Sequence, residues 1–462
     1  MQSNPHPSPL RESDLIFPSA ATSIGSTLTA LKRSNLKISN RLQSIAQDAL
    51  FVQDIAALYQ LPLVANERCG SWYIRPDVKI GSAYFKSTDG HFGQWGVSLR
   101  RLNLGVLEIA GQNGGYVYSI FSLCIIVDST RRGKSMPDAL SKTIPIWIVV
   151  MNRLLFPEKT QPHLLHTPPD VVSRSEYAQI EDRLSIALEG IKSLSLDISG
   201  LRAKLKDKPM FPVWVTPGTR DLESCAPDDY NLIVMCTASG SMSEPGHNIN
   251  GYVQGAADDH ESWAQGLDAI TFWQHKNELL SASEDELPAL IAHLLAAQPI
   301  NINSRRPRQI LPTTWLWISD MNSAEQDGTQ FDLTISCCTE SNAILSKQLG
   351  SRYLNLTCSS GKIGSRQLRT ELPKLHSLAT MMSAESRILI SCPDGKDLSV
   401  GAALAMICLF CDDKGSTSDT TSKRDTPTKD LIKQRLSWIM VSIPDAKPSR
   451  ATLQSVNAFL MG

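Results

Sequence analysis

The stretch Cys124-Ile-Ile-Val-Asp128-Ser129-Thr130-Arg131-Arg132-Gly133-Lys134-Ser135 joins an apolar strand to a loop of hydroxyl, basic and glycine residues. Apolar residues at helical spacing follow between Pro137 and Leu155, so the loop leads into a predicted helix. α/β proteins bind phosphate at such loops, because backbone N–H groups and a helix N-terminus surround the oxyanion. The stretch therefore predicts an α/β fold with an anion site between strand and helix.

Two known phosphate-binding patterns approach this loop without matching it. Gly133-Lys134-Ser135 resembles the end of the nucleotide-binding P-loop, but that pattern requires a first glycine where Asp128 stands. The strand ending in an acid also resembles, loosely, the ribose-phosphate loop of phosphoribosyltransferases, although a second adjacent acid and a Thr-Gly pair are missing. A solvated basic turn without a ligand is the remaining alternative.

Composition excludes several classes of protein. The chain has 462 residues, of which 42% are hydrophobic and 20% charged, as in ordinary globular proteins, so wholesale disorder is excluded. No apolar run reaches the ~18 residues that cross a bilayer, so we expect no membrane span. The 45 Lys and Arg residues balance 46 Asp and Glu residues, which excludes a histone-like basic coat but allows a local basic face.

The 10 cysteines bear on the compartment. Met1 to Ser26 is rich in Pro and Ser and lacks the continuous apolar core of a secretory signal. Thiols are normally reduced where no such signal directs secretion, so we expect no disulfides and a cytoplasmic protein, with a nuclear pool as an alternative.

Four segments are predicted along the chain: a disordered tail over residues 1–25, an N-terminal domain over 26–300, a basic linker over 301–313 and a second domain over 314–462. The second domain alternates strands with helices, which predicts an α/β fold. Its predicted strands are Trp315–Ile318, Leu333–Cys337 and Arg387–Ser391, and a helix follows from about residue 398 to 411.

The N-terminal domain is predicted to have a mixed α+β architecture. A long helix runs from Leu28 towards Pro62. Short β-prone runs between glycine-rich turns then predict strands of a mixed sheet: Trp72–Ile74, Tyr84-Phe85, Trp95–Leu99, Val106–Ile109 and Val117–Val127. Helical periodicity covers residues 175–207, strands are predicted at Val213–Val215 and Leu232–Met235, and helices at about 257–266 and 284–297.

Two further clusters carry residues that can do chemistry. In Lys86-Ser-Thr-Asp89-Gly-His91, Lys86 can hold a phosphate, and Asp89 or His91 can act as a base or a metal ligand. The alternative is an Asx turn beside a structural histidine. In Gly251-Tyr-Val-Gln254-Gly-Ala-Ala-Asp258-Asp259-His260, acids and a histidine at a helix start can bind Mg²⁺ or act as a base. Alternatively, the acids only stabilise the helix dipole.

A last cluster is Ser391-Cys392-Pro-Asp-Gly395-Lys396-Asp-Leu398-Ser399, again a loop between a predicted strand and helix. It resembles the cysteine-phosphatase signature His-Cys-x-x-Gly-x-x-Arg-Ser/Thr, in which a thiolate attacks phosphorus and an arginine fork holds the phosphate. Leu398 stands at the arginine position and Ser391 at the histidine position. The sequence therefore predicts a phosphatase-like domain without phosphatase activity, whose loop can still hold a backbone phosphate of a larger ligand.

Local basic clusters favour an anionic polymer as ligand. Between residues 346 and 376 six cations face Glu371 alone, and three arginines lie shortly before this domain. Clusters on both halves of a neutral protein indicate a polyanion that touches both, although an ordinary solvated surface is the alternative. The candidate RNA-binding residues are Arg305, Arg306, Arg308, Lys362, Arg366, Arg369 and Lys396.

Several of these blocks together resemble one family, the initiator-tRNA 2′-O-ribosyl phosphate transferases of fungi and plants. The resemblance is strongest over Ile126-Val-Asp-Ser-Thr-Arg-Arg-Gly-Lys-Ser-Met-Pro-Asp-Ala-Leu-Ser-Lys-Thr-Ile-Pro-Ile-Trp147. It extends over almost the whole chain after the tail, through the blocks Lys86–His91, Arg100–Leu104, Gly251–His260 and Cys392–Ser399.

The resemblance implies an enzyme that moves a 5-phosphoribosyl group from phosphoribosyl pyrophosphate to RNA. Its acceptor would be the 2′-hydroxyl of the T-stem purine at position 64 of cytosolic initiator methionine tRNA, and the charged adduct would bar this tRNA from elongation. The family also implies an N-terminal catalytic domain and a C-terminal dual-specificity-phosphatase-like domain. We expect Mg²⁺ as cofactor and a monomeric protein.

Each cluster then has an expected role. Arg131, Arg132 and Lys134 would hold phosphates, assisted by Ser129, Thr130, Gly133 and Gln254, and preorganised cations would stabilise the departing pyrophosphate. Asp128 would hold ribose or the metal, and Lys86 the pyrophosphate. Asp258 or Asp259 would be metal ligand or base, with His260, Asp89 and His91 as competitors. Two other classes stay open, a tRNA-binding protein without catalysis and an active cysteine phosphatase.

Overall fold

The computed structural model describes residues 37–99, 101–111, 123–158, 163–194, 196–218, 229–240, 251–297, 306–380, 385–413, 415–417, 426–443 and 446–462. These residues form two sheets flanked by helices, one in each half of the chain. The predicted α/β class is confirmed. None of the helices in these ranges combines the length and the apolarity needed to cross a membrane.

The sheet of the N-terminal half has the strand order β2-β1-β3-β5-β4, with every pairing parallel. Its strands are β1 (Leu63–Asn66), β2 (Lys79–Ala83), β3 (Leu123–Asp128), β4 (Met210–Val215) and β5 (Asn231–Thr237). The predicted mixed sheet is therefore wrong for the described strands. A parallel sheet is covered on both faces, which explains why β3 and β5 are continuous apolar runs.

The central strand β3 shows how the two faces are filled. Ile125 and Val127 belong to the core under the long first helix, while Cys124 and Ile126 belong to the core on the opposite face. The helices of this half are α1 (Ile38–Tyr59), α2 (Gly105–Gly111), α3 (Ile144–Leu155), α4 (Arg174–Glu181), α5 (Leu184–Lys192), α6 (Ile198–Lys204), α7 (His260–Trp263), α8 (Ala269–Gln274), α9 (Lys276–Ser281) and α10 (Leu287–Ala297). A π-helical turn, Ala139–Thr143, precedes α3.

The second sheet has the order β6-β7-β10-β8-β9, parallel except for β6. Its strands are β6 (Arg308–Gln309), β7 (Leu316–Asp320), β8 (Leu333–Cys338), β9 (Tyr353–Thr357) and β10 (Ile388–Cys392). Its helices are α11 (Met321–Asp327), α12 (Ala343–Leu349), α13 (Gly361–Glu371), α14 (Leu398–Phe410), α15 (Lys429–Ser442) and α16 (Arg450–Leu460). The helix α14 is buried along nearly its whole length, as its unbroken apolar sequence requires.

The two halves contact each other at Tyr84, whose ring lies close to one cation from each half. The guanidinium of Arg101 lies 3.7 Å from the ring centroid of Tyr84, and the ammonium of Lys447, from the other half, lies 5.0 Å from it. Val441 on α15 packs against the core of the N-terminal half. Cation–π contacts of this kind help to hold the two halves together.

Several predicted strands of the N-terminal half are wrong. Trp72 lies in a 3₁₀ turn, Val106–Ile109 lies in α2, and neither Tyr84-Phe85 nor Trp95–Leu99 is in a strand. Short apolar runs fit a helix, a turn or a strand equally well, because each only needs to bury one side. Here Trp72, Phe85 and Trp95 fill the core from irregular segments. The last predicted strand, Val117–Val127, is seen in its second part as β3, and residues 117–122 lie outside the described residues.

The longer predicted elements are confirmed. The first helix is seen over Ile38–Tyr59, the helices over 175–207 and before Leu155 are present, and β4, β5, β7, β8 and β10 match predicted strands. Part of the predicted linker is different: Arg308 and Gln309 pair with β7, and Ile310 lies in the second core. Residues 301–305 of that linker and the tail 1–25 lie outside the described residues.

Candidate functional site

An arginine between two buried carboxylates lies at the carboxyl edge of the first sheet. Arg68 follows β1 and Asp128 ends β3, and because these strands are parallel neighbours, both residues reach the same edge. The Arg68 guanidinium donates to Asp128 Oδ1 at 2.8 Å and Oδ2 at 3.3 Å, and to Asp258 Oδ1 at 2.8 Å. It also donates to the carbonyl of Ser129. One cation thus neutralises two acids that arrive from distant parts of the chain.

The Asp128 carboxylate is fully engaged by protein donors. Besides Arg68, it accepts from Asn66 Nδ2 at 2.8 Å, from the Cys69 thiol at 3.0 Å and from the backbone N–H of Ser129 at 2.7 Å. Its side chain is completely buried. Asp128 therefore fixes the start of the loop and orients Arg68, rather than facing a ligand.

Burial and charge shift the pKa values of this group. Burial would lower the pKa of Arg68, but the negative charges of Asp128 and Asp258 raise it instead, so Arg68 stays a cation. Burial raises the pKa of Asp258, opposed by Arg68 and reinforced by Asp128. Burial, followed by the Asp128 charge, raises the pKa of Cys69 well above its usual value, so this residue is a thiol.

The loop after β3 is held in shape from two sides. Ser239, after β5, accepts from the backbone N–H of Thr130 and from the Ser129 hydroxyl, both at 3.0 Å. Gln254 accepts from the N–H of Gly133 at 2.7 Å and donates to the carbonyl of Lys134 at 2.9 Å. Gln254 is also the residue that the sequence analysis grouped with this loop.

Close backbone approach explains the glycine beside Gln254. Gly255 has a φ of 66°, and a Cβ there would lie 2.4 Å from the carbonyl oxygen of Thr130. In the loop itself, Arg132 and Gly133 also have positive φ values, of 60° and 73°. Only a residue without a side chain lets the 251–258 segment touch the loop so closely.

A pocket of about 230 Å³ opens between the loop and the 252–258 segment. Three arginines, Arg41, Arg131 and Arg132, line it together with the carboxylate of Asp258. The remaining lining residues are Gly133, Tyr252, Val253, Gln254 and Gly255. We call it the loop pocket. Three cations around one buried acid suit an anionic ligand that also needs a base beside it.

Two predicted residues next to Asp258 have different surroundings. Asp259 is largely exposed and pairs with Arg131, whose Nε also lies 3.7 Å from Asp258 Oδ2. His260 packs on Trp72, with ring centroids 5.8 Å apart. Neither lines the loop pocket, so Asp258 is the acid that the structure places there.

The Lys86–His91 cluster lies behind the loop rather than in the pocket. His91 Nε2 lies 3.6 Å from Asp138 Oδ2, and Lys134 Nζ lies 3.2 Å from the same oxygen. Lys86 and Asp89 line a separate, larger cavity between the two halves. The structure therefore separates Lys86, Asp89 and His91 from the acids at 128 and 258.

Among the described residues, no group of three or more His, Cys, Asp and Glu side chains is arranged to hold a metal ion. Asp128 does not fit the predicted ligand role, because its oxygens already accept from Asn66, Arg68, Cys69 and Ser129. Of the described residues that line the loop pocket, Asp258 alone carries a carboxylate.

Sequence reasoning missed the cations that organise the site. Asn66 directly follows the apolar run 63–65, and Arg68 lies two residues further on. A polar residue at the end of an apolar run is the same kind of signal that Asp128 gave at the end of β3. Arg41 gave no such signal, because it lies on the long helix and reaches the carbonyls of Ala256 and Asp258 only in the folded chain.

Two family models match the chain. The Rit1 N-terminal domain matches residues 31–296, more than half of the chain, and the Rit1 DUSP-like domain matches residues 352–460. The chain belongs to the Rit1 family.

Relatives agree with this assignment over nearly the full length. The Rit1-family chain is 33% identical to the Saccharomyces cerevisiae tRNA A64-2′-O-ribosylphosphate transferase, covering 93% of both chains. It is 36% identical to an uncharacterized protein of Schizosaccharomyces pombe, covering 91% of this chain and 94% of the relative.

Solved structures similar to the chain include human DUSP28, at 11% identity with 34% of this chain and 93% of that chain covered and a TM-score of 0.26. The Yvh1 phosphatase domain of Chaetomium thermophilum is 16% identical, with 33% and 94% covered and a TM-score of 0.25. The DUSP-like assignment rests on the Rit1 family model, and it confirms the predicted phosphatase-like domain.

The Cys392 loop of this Rit1 DUSP-like domain is closed by its own acid. Asp394 Oδ1 accepts from the Cys392 thiol at 3.1 Å and from the backbone N–H of Lys396 at 2.9 Å. Burial, followed by the Asp394 charge, raises the pKa of Cys392, and Leu398 brings no cation. These features disfavour a reactive thiolate, so the predicted lack of phosphatase activity stays a prediction with added support.

The predicted RNA-binding residues of the Rit1-family chain lie in several places. Lys362, Arg366 and Arg369 are exposed on one side of α13, at a spacing of four and three residues. Arg306 is exposed, whereas Arg308 lies in β6 and Lys396 is half-buried at the Cys392 loop. Arg305 lies outside the described residues.

Proposed function

We propose that the chain transfers 5-phosphoribosyl from phosphoribosyl pyrophosphate to the 2′-hydroxyl of the purine at position 64 of cytosolic initiator methionine tRNA. Membership of the Rit1 family and the name of the yeast relative support the reaction class. The observation that carries the proposal is the loop pocket, with three arginines around the buried Asp258.

The phosphate groups of the donor are proposed to bind the arginines of the loop pocket. Arg131 and Arg132 supply guanidinium forks for phosphate oxygens, and Arg41 adds a third cation from α1. As the pyrophosphate leaves C1 of the ribose, it takes the bonding electron pair, and fixed cations stabilise the charge that develops. Lys134 lies at the outer end of the loop, near Asp138, and is a weaker candidate for the same role.

Asp258 is the proposed general base. Its carboxylate accepts the proton of the 2′-hydroxyl while the oxygen forms its bond to C1 of the donor ribose. Burial raises the pKa of Asp258, which strengthens it as a base relative to an exposed aspartate. Arg68 holds one oxygen of this carboxylate at 2.8 Å, which fixes its orientation towards the pocket.

Magnesium stays a proposal, and we assign it to the donor rather than to a cage of side chains. Mg²⁺ is typically bound through substrate phosphates, waters and one or two carboxylates. Asp258 is the carboxylate that such an ion would meet in the loop pocket. The ion would neutralise part of the pyrophosphate charge.

The rest of the proposal concerns the cell. Addition of a charged ribosyl phosphate to the T stem would keep the modified initiator tRNA out of elongation. We expect the enzyme to act as a monomer in the cytoplasm, where its tRNA substrate is used.

The test mixes purified full-length protein, Mg²⁺ and labelled phosphoribosyl pyrophosphate with initiator or elongator tRNA, and measures label in the RNA. We expect label in the initiator tRNA alone. Asp258→Asn should lower the rate about 10²- to 10⁴-fold and remove the acid limb of the pH profile. That limb should lie above the usual aspartate range, with activity rising as the carboxyl loses its proton.

Asp259→Asn is the matched control, because this neighbouring acid is exposed and lies outside the loop pocket. Equal losses in both variants would remove Asp258 from the role of base. Binding of tRNA without any transfer, under all conditions, would leave a non-catalytic RNA-binding protein.

A further inference from the structure

A second cavity, of about 600 Å³, lies between the two halves of the molecule. The N-terminal half contributes residues from the 86–99 segment, and the DUSP-like half contributes residues from α14, α15 and α16. We call it the interdomain cleft. Its size is that of a pocket for a nucleotide-sized ligand.

The interdomain cleft has an apolar floor and a cationic rim. The floor is formed by Val97, Leu99, Leu404, Ile432, Leu436 and Leu453. The rim carries Lys86 from one half and Lys429, Lys433 and Arg450 from the other, and Asp89 is the one acid among the described lining residues. Three of the four cations come from the DUSP-like half, and Lys86 adds one from the N-terminal half.

Most of these cations form no salt bridge within the described parts of the protein. Lys433 pairs with the exposed Asp430 at 2.9 Å, whereas Lys86, Lys429 and Arg450 form no salt bridge with any described carboxylate. Lys429 and Arg450 are exposed at the N-terminal ends of α15 and α16. Such a rim attracts phosphate groups.

The segments that line the interdomain cleft and the loop pocket are linked through Asp138. Arg131 to Gly133 line the loop pocket, and the next residue, Lys134, lies with its Nζ 3.2 Å from Asp138 Oδ2. The same oxygen lies 3.6 Å from Nε2 of His91, which follows the turn whose Lys86 and Asp89 line the cleft. The two cavities are therefore lined by segments that contact a common side chain, as a ligand that spans both requires.

We propose that the interdomain cleft binds a nucleotide of the RNA substrate, with its base on the apolar floor and its phosphates at the Lys–Arg rim. Proteins commonly read RNA by placing unpaired bases against apolar or aromatic surfaces, and they gain affinity from phosphate contacts. The proposal rests on RNA being the substrate, as in the proposed function. It gives Lys86 an RNA phosphate as partner in place of the pyrophosphate.

The test measures binding of initiator tRNA to full-length protein without donor, at several salt concentrations. Lys429→Ala, Lys433→Ala and Arg450→Ala are combined in one variant. We expect the Kd to rise roughly tenfold or more, and the slope of log K against log salt to fall by about 2–3, because each lost phosphate contact contributes just under one.

The matched control removes three exposed cations that line neither cavity, with Arg174→Ala, Lys192→Ala and Lys206→Ala in the N-terminal half. Both variants lose the same net charge, so an equal loss of affinity in the two would overturn a specific role for the cleft. Thermal unfolding of each variant checks that the fold is kept.

The floor and the lysine are tested separately. Leu99→Glu places a negative charge on the apolar floor and should weaken RNA binding as much as the triple variant. Lys86→Ala should raise the Kd for RNA about three- to tenfold while leaving the Kd for phosphoribosyl pyrophosphate unchanged. Weaker binding of the donor with unchanged RNA affinity would return Lys86 to the pyrophosphate and contradict the proposal.

The same nucleotide chemistry can come from RNA or from a free mononucleotide. Titration of wild-type protein with adenosine and guanosine monophosphates distinguishes the sources: we expect no saturable binding below the millimolar range. Submillimolar binding that the triple variant loses, with tRNA affinity unchanged, would make the cleft a small-molecule site and refute the proposal. Because donor and transfer are absent from this experiment, its result stands apart from that of the transfer assay.

Discussion

The loop after β3 and the loop after β10 start from the same architecture and reach different electrostatic states. Both follow the central strand of a five-stranded sheet, lead into a helix and contain an acid. In the first, Arg68 pairs with Asp128 from the neighbouring strand, so the loop's own arginines remain around the loop pocket. In the second, Asp394 accepts hydrogen bonds from the backbone N–H of Lys396 and from the Cys392 thiol.

The difference teaches that backbone geometry alone does not make an anion site. An acid inside such a loop needs a cation from outside the loop, or it competes with the ligand for the same N–H groups. β1 supplies that cation through Arg68, whereas Leu398 brings none to the second loop.

The largest expected effect comes from removing the cation that distinguishes the first loop. Among the described residues, Arg68→Ala removes the cation paired with the buried Asp128 and the nearer of the two cations beside Asp258. We therefore expect a loss of about 3–5 kcal/mol in the free energy of unfolding and loss of transfer. Arg68→Lys should not restore activity, because an ammonium cannot bridge two carboxylates with parallel forks. Urea unfolding and the transfer assay measure both effects.

Arg75→Ala serves as the control, since Arg75 and Asp77 form an exposed ion pair in the segment between β1 and β2. It should change stability by at most ~1 kcal/mol. A similarly small change for Arg68→Ala would mean that the buried acids do not depend on it.

The next effect concerns charge in the loop pocket rather than stability. Arg132→Ala should lower kcat/KM about 10²- to 10³-fold with the unfolding free energy nearly unchanged, because a preorganised cation at the leaving group is lost. Arg132→Lys should keep part of the activity. Arg174→Ala, on the exposed start of α4, should have full activity. Full activity of Arg132→Ala would place phosphate binding elsewhere.

The second loop allows the reverse experiment. Asp394→Ala with Leu398→Arg removes the internal acid and adds a fork, so we expect inorganic phosphate to stabilise this variant but not the wild type. At phosphate tenfold above Kd the gain in unfolding free energy would be about 1.4 kcal/mol. Thermal unfolding with and without phosphate measures it.

Cys392→Ser in the otherwise wild-type protein should leave the rate of transfer unchanged. We expect neither the wild type nor this variant to release phosphate from an aryl phosphate. If the wild type releases phosphate and this variant does not, the Cys392 loop is an active phosphatase site. If Asp394→Ala with Leu398→Arg gains no phosphate binding, the contrast between the loops lies in their backbone after all.

How far the sequence allowed prediction depends on the kind of residue. The central strands and the 128–134 loop were predictable, because long apolar runs and the turn chemistry after them are local signals. The link between this loop and Gln254 was also predicted as a shared site, and the structure joins them by two hydrogen bonds. Short apolar runs such as Trp72–Ile74 were not predictable, since packing decides their backbone.

The pairings of the site could not be predicted, because they depend on distant elements meeting. Nothing local to Arg68 tells that it faces both Asp128 and Asp258, and nothing local to Arg41 tells that it reaches the 256–258 carbonyls. Conversely, Lys86–His91 has the composition of a site, but the fold places its turn against Asp138.

The smallest expected effect concerns Asp48, a buried acid that pairs with no cation among the described residues. Asp48 on α1 is buried and accepts from the Tyr252 hydroxyl at 2.9 Å, while its Oδ2 has no hydrogen-bond partner in the described structure. Burial raises the pKa of Asp48 well above its usual value. A raised folded pKa means that the native state binds more protons, so stability falls as pH rises above the unfolded value of about 3.9.

Asp48→Asn removes this proton linkage and still accepts from Tyr252. We expect the variant to be about 1 kcal/mol more stable than wild type at pH 7, and the gap to shrink towards pH 4. Unfolding free energies at both pH values measure this. A constant difference between the two pH values would show that Asp48 is not linked to folding through its proton.

The hydrogen bonds of α1 have a consequence for how the chain is made. Glu284 accepts from the backbone N–H groups of Ile38 and Ser39, at a sequence separation of 245–246 residues, and Arg41 reaches Asp258 across 217. A ribosome that has released only the first 250 residues has therefore produced β3 and its arginines without Asp258 or the cap of α1. Contacts of such long range form late and slowly. The loop after β3 therefore lacks these partners on the nascent chain until nearly 300 residues have emerged, and a chain truncated before residue 258 lacks the acid of the loop pocket.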